Sequence, residues 1–368
     1  MSQSRIYQIA LSLIPDIGPI LARRLVSYTG SVEAIFTEPR SKLEKIPGLG
    51  KLTLKGFNPA EQLRLAEEEL NHAEKNNIQL SFYLDNTYPE RLKECEDAPV
   101  ILYYKGENKF NTAKIISIVG TRHSTPYGEE VCSKMVEELG QLFPDLVVVS
   151  GFAYGIDICA HKAAMDNSLH TVAVFGHGVD QVYPSVHRKY LNRMLENGAL
   201  VSEFAAKNKP ARGNFVSRNR IIAGLADATI VVESGVKGGS LLTADMALSY
   251  NRDVFAFPGR AGDMYSKGCN NLIKKNSAAL VESASDLMYY MKWDASAEPD
   301  AVQKSLFLSL TPQEESLVEA LKGKDAISLD ELSRNLAQPV AKLSGILLKL
   351  EFDGLVLSLP GKNYKLKC

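Results

Sequence analysis

Three glycine-rich turns hold the residues of this chain whose types and spacing suit an anion. The turns are GTRHSTPYG (120–128), SGFAYG (150–155) and GGSLLTA (238–244), each placed between a β-rich run and a predicted helix. Glycine lets the backbone approach a phosphate, and the first amides of a helix supply donors with partial positive charge. The turns predict a phosphate cradle formed by Gly120, Thr121, Arg122, Ser150, Gly151, Gly239, Ser240 and Thr243.

A basic stretch, KNKPARGNFVSRNR (207–220), surrounds one aromatic side chain with cations. The cations are Lys207, Lys209, Arg212, Arg218 and Arg220, and Phe215 lies among them. Single-stranded nucleic acid suits such a stretch, because cations follow the phosphates while an aromatic ring stacks on a base. A second interpretation also fits, in which Phe215 fills the core beneath a solvated basic loop.

The motifs of several other kinds of site are missing from the sequence. No GxxxxGK[ST] loop occurs, and no GxGxxG follows the first strand. The histidines share no metal-ligand spacing, and the five scattered cysteines indicate neither a disulfide framework nor a zinc site. No catalytic triad can be assigned from the residue order. We therefore expect a binding protein that has no cofactor and no catalytic group.

Length and charge restrict the possible partners. The chain has 368 residues, enough for two or three domains, and 42 Lys and Arg residues balance 43 Asp and Glu residues. With a net charge of -1, nucleic-acid binding must rely on a local basic patch. The sequence has neither a signal-peptide pattern nor an apolar run of about 20 residues, so we expect a cytoplasmic protein without membrane association.

The region 1–85 is predicted to be helical. Two turns, IPDIG (14–18) and IPGLG (46–50), are typical of a helix-hairpin-helix domain, whose turn amides can face a phosphate. A packing or partner-binding role for this domain is the alternative. The region 86–292 alternates apolar strands with amphipathic segments, which predicts an α/β domain whose Rossmann-like parallel sheet is covered on both faces.

The remaining residues divide into a linker and a small domain. Residues 293–305 are polar and contain Pro299, which favours a linker. In the region 306–368, helices are predicted to begin near Pro312, Ser328 and Pro339, followed by two strands around a Pro-Gly turn at 360–361. That order is typical of a winged-helix domain.

Six segments of the middle region resemble the DprA (Smf) family of DNA-processing proteins. In order, they are IVGTRHSTPYG, VSGFAYGIDICAHKAA, VAVFGHGVDQVYP, SRNRIIAGLADATIVVESGVKGGSLLTADMAL, RDVFAFPG and GCNNLIKKNSAALV, and they span most of 98–285. The resemblance implies a non-catalytic, cytoplasmic homodimer of natural transformation and recombination. Such a protein protects incoming single-stranded DNA and helps the RecA recombinase load past single-strand-binding protein.

The resemblance also implies roles for particular residues. Arg122 is expected to hold a phosphate beside the amides of Gly120 and Thr121, and Arg212 and Phe215 match a DNA-contacting cation and aromatic. The family's RNR segment is matched by Arg218, Asn219 and Arg220, which either contact DNA or brace the pocket. The family dimerises through the later part of this domain, which here corresponds to Leu272, Ile273 and Leu280.

Two alternatives come from other functional classes. The predicted sheet is shared with nucleotide-sugar-cleaving enzymes, which would make this chain a nucleotide hydrolase or sensor. Those enzymes use a PGGxGT loop, whereas this chain has GVKGGSLLTA (235–244). A winged helix could instead read duplex DNA, but its segment 339–351 offers only Lys342 and Lys349 as cations, which favours an interaction role.

Overall fold

The computed structural model describes residues 2–206, 208–293, 311–322, 326–336, 338–352, 355–359 and 363–366. The chain forms two compact units, Met1–Ala295 and Ser296–Cys368. Lys207, most of the predicted linker and the predicted turn at 360–361 lie outside the described residues.

Short helices form the beginning of the first unit. They are α1 (Ser2–Ser12), α2 (Pro19–Thr29), α3 (Val32–Thr37), α4 (Arg40–Leu43) and α5 (Pro59–Lys75). Ser31 and Asn58 accept hydrogen bonds from the first-turn amides of α3 and α5, and proline begins α2 and α5. The helices share one apolar cluster with Ile101 and Tyr103. The helical region is therefore fixed to the edge of the sheet described next.

A nine-stranded sheet runs through the described part of the first unit. Its strands are β1 (Gln79–Phe82), β2 (Ile101–Gly106), β3 (Ile115–Val119), β4 (Val147–Ser150), β5 (His170–Phe175), β6 (Gly198–Ser202), β7 (Ala228–Val231), β8 (Asp253–Ala256) and β9 (Ala279–Leu280). Their order is β1-β2-β6-β5-β4-β3-β7-β8-β9, and only the pairings of β2 with β1 and with β6 are antiparallel. The prediction of a Rossmann-like parallel sheet is confirmed, and β1 and β2 extend it by antiparallel pairing. The sequence analysis missed β1, which falls inside the region predicted to be helical, and β9.

Helices cover both faces of this sheet. They are α6 (Glu90–Lys93), α7 (Pro126–Leu142), α8 (Ile156–Asp166), a 3₁₀ helix (Ser185–Tyr190), α9 (Leu191–Glu196), α10 (Arg212–Ser217), α11 (Asn219–Leu225), α12 (Gly239–Ser249), α13 (Lys267–Lys274) and α14 (Ala284–Met291). One apolar cluster joins α11, α12 and α13 to the sheet, and another joins α7, α8 and α14 to it. Because both faces are covered, the central strands are apolar along their whole length.

The sheet has a topological switch point at β3. From β3 the chain continues to β4, β5 and β6 on one side and later to β7, β8 and β9 on the other. The connections that follow β3 and its neighbours therefore diverge, which opens a crevice beyond the carboxyl ends of these strands. In open α/β sheets this is where ligands bind.

The second unit has its own small core. Its elements are α15 (Pro312–Leu321), β10 (Ile327–Ser328), α16 (Leu329–Leu336), α17 (Val340–Phe352), β11 (Val356–Leu359) and β12 (Asn363–Leu366). The strands form a sheet in the order β10-β12-β11, and Leu317, Leu332 and Leu347 are buried between the helices and this sheet. The predicted winged-helix order is confirmed. In neither unit do the described residues include a helix that is long and apolar enough to cross a membrane.

Candidate nucleic-acid interface

A cleft of about 760 Å³ lies at the switch point, beyond the carboxyl ends of β3 and β7. Its walls come from the turn between β3 and α7, from α10 and α11, and from the turn before α12. Ten of the predicted binding residues line it: Gly120, Thr121, Arg122, Arg212, Phe215, Arg218, Asn219, Gly239, Ser240 and Thr243. Folding thus brings together residues that are more than 120 positions apart in the sequence.

The turn that carries Arg122 is clamped from two sides. The Thr121 amide donates to the Glu233 carbonyl at 2.8 Å, and the Ile156 amide donates to the Thr121 carbonyl at 3.2 Å. Gly155, with φ of 73°, packs so closely against the backbone of Thr121 and Arg122 that no side chain fits. The backbone of Arg122 is therefore fixed while its side chain is exposed. The Thr121 amide, which we expected to face a phosphate, is already occupied.

Arg218 forms a buried, poorly compensated cation at the floor of the cleft. Its side chain is 5% exposed and lies against Gly151, and its nearest acid, Asp157, is 3.9 Å away between Nη2 and Oδ2. Among the described residues, neither Nε nor Nη1 of Arg218 has a hydrogen-bond partner. Burial lowers the pKa of the guanidinium to about 10, so it stays charged at neutral pH. A buried charge with so distant a partner is costly, so Arg218 adds positive potential beneath the cleft at the expense of stability.

An aromatic ring stands beside the exposed cations at the rim. Phe215 lies in α10 and is only partly buried, so the interpretation of this residue as a core side chain is wrong. The Arg122 guanidinium lies 6.0 Å from the centre of the Phe215 ring. Arg212 is exposed and begins α10. Phe215 is thus a partly exposed ring beside an exposed arginine.

Two predicted residues have their side chains buried away from the cleft. The Ser150 hydroxyl is buried and donates to the Ile118 carbonyl at 2.6 Å. Arg220 is buried elsewhere, where it pairs with Glu203 and donates to the Asp97 carbonyl at 2.6 Å. Both side chains brace the fold instead of facing a ligand.

Three further predicted residues have restricted roles. Gly151 lies beneath Arg218 and lines a small depression beside the cleft. Ser240 lines the cleft, but its hydroxyl donates to Ser234 Oγ at 2.9 Å. Gly239 begins α12, and a Cβ added to it would meet no other atom, so no close packing requires glycine at this position.

Lys237 and Tyr183 are among the cleft residues that the sequence analysis missed. Lys237 is an exposed cation in the turn before α12, and its position beside two glycines was a usable signal. The Tyr183 ring lies 5.4 Å from the Phe215 ring, although the two residues are 32 positions apart. No local pattern could have revealed that contact.

The residues expected at a dimer interface differ in exposure. Leu272 is 7% exposed and packs into the core of its own chain, so it offers little surface to a partner. Ile273 is partly buried, whereas Leu280 is 41% exposed on the edge strand β9. Only the latter two side chains are accessible to a partner.

A second cavity, of about 830 Å³, lies on the other side of Glu233. Arg260, Asp263 and Glu282 line it, and Glu233 accepts hydrogen bonds from the amide and hydroxyl of Thr125 at 2.9 and 2.6 Å. Carboxylates outnumber cations in this cavity, which disfavours a polyanion. Within the described ranges, no three His, Cys, Asp or Glu side chains are grouped so that they could hold a metal ion.

Comparisons with known proteins match both units. The family model for DNA recombination-mediator protein A matches residues 79–292, and the DprA winged helix domain matches residues 297–362. Protein Smf from Synechocystis is 31% identical over 98% of each chain. The DNA processing protein DprA from Streptococcus pneumoniae is 39% identical over 56% of this chain and 71% of its own length.

Two solved structures resemble this fold. The X-ray structure of DprA from Streptococcus pneumoniae has a TM-score of 0.65 and 32% identity, covering 78% of this chain and 98% of its own. DNA processing protein A from Helicobacter pylori, whose structure concerns a single-stranded DNA binding mode, has a TM-score of 0.52 and 30% identity. That comparison covers 58% of this chain and 96% of the other.

Proposed function

The chain belongs to the DNA recombination-mediator protein A (DprA) family, and we propose that it binds single-stranded DNA in the cleft beyond β3. One observation carries the proposal: a single cleft brings together the exposed Arg122, the partly exposed ring of Phe215 and the buried guanidinium of Arg218, two of whose nitrogens have no hydrogen-bond partner among the described residues. The positive charge of Arg218 beneath the cleft favours a phosphate held there by the exposed cations. The similar Helicobacter pylori protein, whose single-stranded DNA binding mode has been described, supports the same ligand.

The arrangement favours a single strand over a duplex. Arg122, Arg212 and Lys237 are exposed around the cleft and can follow successive phosphates. Stacking on Phe215 needs a base whose face is free, and in a duplex that face is covered by the neighbouring pairs. The proposed ligand is therefore an unpaired stretch of DNA, bound mainly through its backbone and one or more base faces.

We also propose that the cleft performs no reaction. Its acid, Asp157, is buried, where it accepts the Ala153 amide at 3.3 Å and lies beside Arg218. Glu233, the next acid, has both oxygens engaged by Thr125. Neither carboxylate is free to activate water, which disfavours the nucleotide-cleaving alternative.

Family membership supports a wider role in the cytoplasm. We propose that the protein protects incoming single-stranded DNA during transformation and helps RecA to displace single-strand-binding protein. A homodimer fits this role, and the edge strand β9 with the exposed Leu280 offers a surface for self-association.

Binding is tested with a labelled oligo-dT and a duplex of the same length. We expect the single strand to bind at least tenfold more tightly, and equal affinities would contradict the proposal. Incubation with AMP tests for catalysis, and release of adenine at an enzyme-like rate would favour the hydrolase.

Loading of RecA needs a separate measurement. The protein should accelerate RecA assembly on single strands coated with single-strand-binding protein, and Arg122→Ala should do so less well. Tight DNA binding without any acceleration would remove the loading role and leave the binding role intact.

A further inference from the structure

Two tyrosines continue the aromatic wall of the cleft beyond Phe215. Tyr183 is 45% exposed, and its ring packs against the Phe215 ring with centres 5.4 Å apart and planes tilted by 42°. Tyr154 is 48% exposed, and its ring lies 5.2 Å from the imidazole of His187. Each tyrosine therefore uses one side for packing and leaves the other side to solvent.

The ring that supports Tyr154 is buried, and so is the residue that follows Tyr183 in the chain. His187 is 5% exposed, and its Nδ1 lies 2.9 Å from the Phe152 carbonyl, to which it donates. Pro184 follows Tyr183 directly and is also buried. The tyrosine rings are thus held in place before any ligand arrives, which lowers the entropy lost when a ligand packs on them.

The rings surround a depression that cations also line. Arg122 and Arg218 form part of its wall together with Tyr154, Tyr183 and Phe215. Its volume of about 10 Å³ is about the room of one water molecule and is too small for a nucleobase. A base can therefore lie against the exposed faces of the rings but cannot insert between them.

We propose that Tyr183 and Tyr154 form a second base-stacking subsite, which takes the nucleobase next to the one stacked on Phe215. The proposal rests on the proposed function of the cleft as a single-strand site. Arg122 lies over the Phe215 ring and also lines the depression, where it can bind the phosphate that links the two nucleotides. Stacking on a tyrosine face accepts any of the four bases, so the subsite adds affinity without sequence preference.

Affinity is measured on the shortest oligo-dT that gives full binding, and again on strands in which one base at a time is removed. Tyr183→Leu should weaken binding about tenfold, in the range expected for one stacked base, and Tyr154→Leu by a smaller factor. For each variant, there should be one base whose removal from the strand weakens binding less than the same removal weakens binding to the original protein. Tyr183→Phe should bind normally, because it keeps the ring.

Tyr28→Leu is the matched control, since Tyr28 is 61% exposed on α2 and does not line the cleft. The subsite is overturned if the folded Tyr183→Leu and Tyr154→Leu variants bind with the original affinity and lose the same affinity as the original protein at each base that is removed. If Phe215→Leu weakens binding while both tyrosine variants do not, the cleft proposal survives and the subsite fails. If the unaltered protein binds no single strand, the proposed function itself fails.

Discussion

Arg122→Ala is the substitution that most directly separates a phosphate contact from a structural role. The Arg122 backbone is fixed by the hydrogen bonds of Thr121 and by Gly155, while its side chain is exposed and lies over the Phe215 ring. Removing this side chain should therefore leave the fold intact. The melting temperature should stay within about 2 °C of the original, as for a surface substitution.

The expected loss can be estimated from one phosphate contact. A charge-assisted hydrogen bond contributes about 1.5 kcal/mol, so affinity at moderate salt should fall roughly tenfold. Each neutralised phosphate adds about -0.7 to the slope of log affinity against log salt for single strands. From about 50 to about 200 mM salt, the affinity ratio between the original protein and Arg122→Ala should therefore shrink about 2.6-fold.

Fluorescence anisotropy of a labelled oligo-dT across a salt series provides the assay. Arg260→Ala is the matched control, because Arg260 is an exposed arginine that lines the other cavity. It should bind like the original protein. The assignment of Arg122 to a phosphate would be refuted if Arg122→Ala had the same slope of log affinity against log salt as the original protein. It would also be refuted if Arg260→Ala lost as much DNA affinity as Arg122→Ala.

Three further predictions concern single side chains. Phe215→Ala should weaken binding by about 1–3 kcal/mol with an unchanged salt slope, and a normal affinity in a destabilised variant would contradict the stacking role. Arg220→Ala should lower the free energy of unfolding by about 3 kcal/mol in urea titrations, because Glu203 stays buried without its partner, and the folded variant should still bind DNA. Burial lowers the pKa of His161 from 6.5 to about 3, so below pH 6.5 the unfolded chain takes up a proton that the folded chain does not. The free energy of unfolding should then fall by about 1.4 kcal/mol per pH unit from this group alone, and His161→Gln should flatten the pH dependence between pH 6.5 and 5.

The central strands and the glycine turns could be predicted because their signals are local. Strands buried on both faces are apolar along their length, and the turns that follow β3 and β4 carry glycine where the backbones meet. The strands β1 and β9 were not predicted because they are edge strands of four and two residues, in which some side chains are exposed. So little apolar sequence gives no periodic pattern.

The roles of the cations could not be separated from the sequence. Arg218 and Arg220 belong to one RNR segment, yet Arg218 reaches the cleft and Arg220 reaches Glu203. Near-helical backbone places residues two positions apart about 200° apart around the axis, so the two side chains point to opposite sides. Only the packing of α11 against the sheet decides which side is the cleft. The contact of Tyr183 with Phe215 likewise depends on the completed fold.

Photocrosslinking of a single strand is the most direct test of where DNA lies on this protein. An oligonucleotide that carries 4-thiothymidine is bound, irradiated and digested, and the crosslinked peptides are identified by mass spectrometry. The cleft assignment predicts crosslinks to the peptides that contain Phe215 and Tyr183. Crosslinks confined to the region around Arg260, or to the winged-helix unit, would contradict the claim that the cleft beyond β3 holds the DNA.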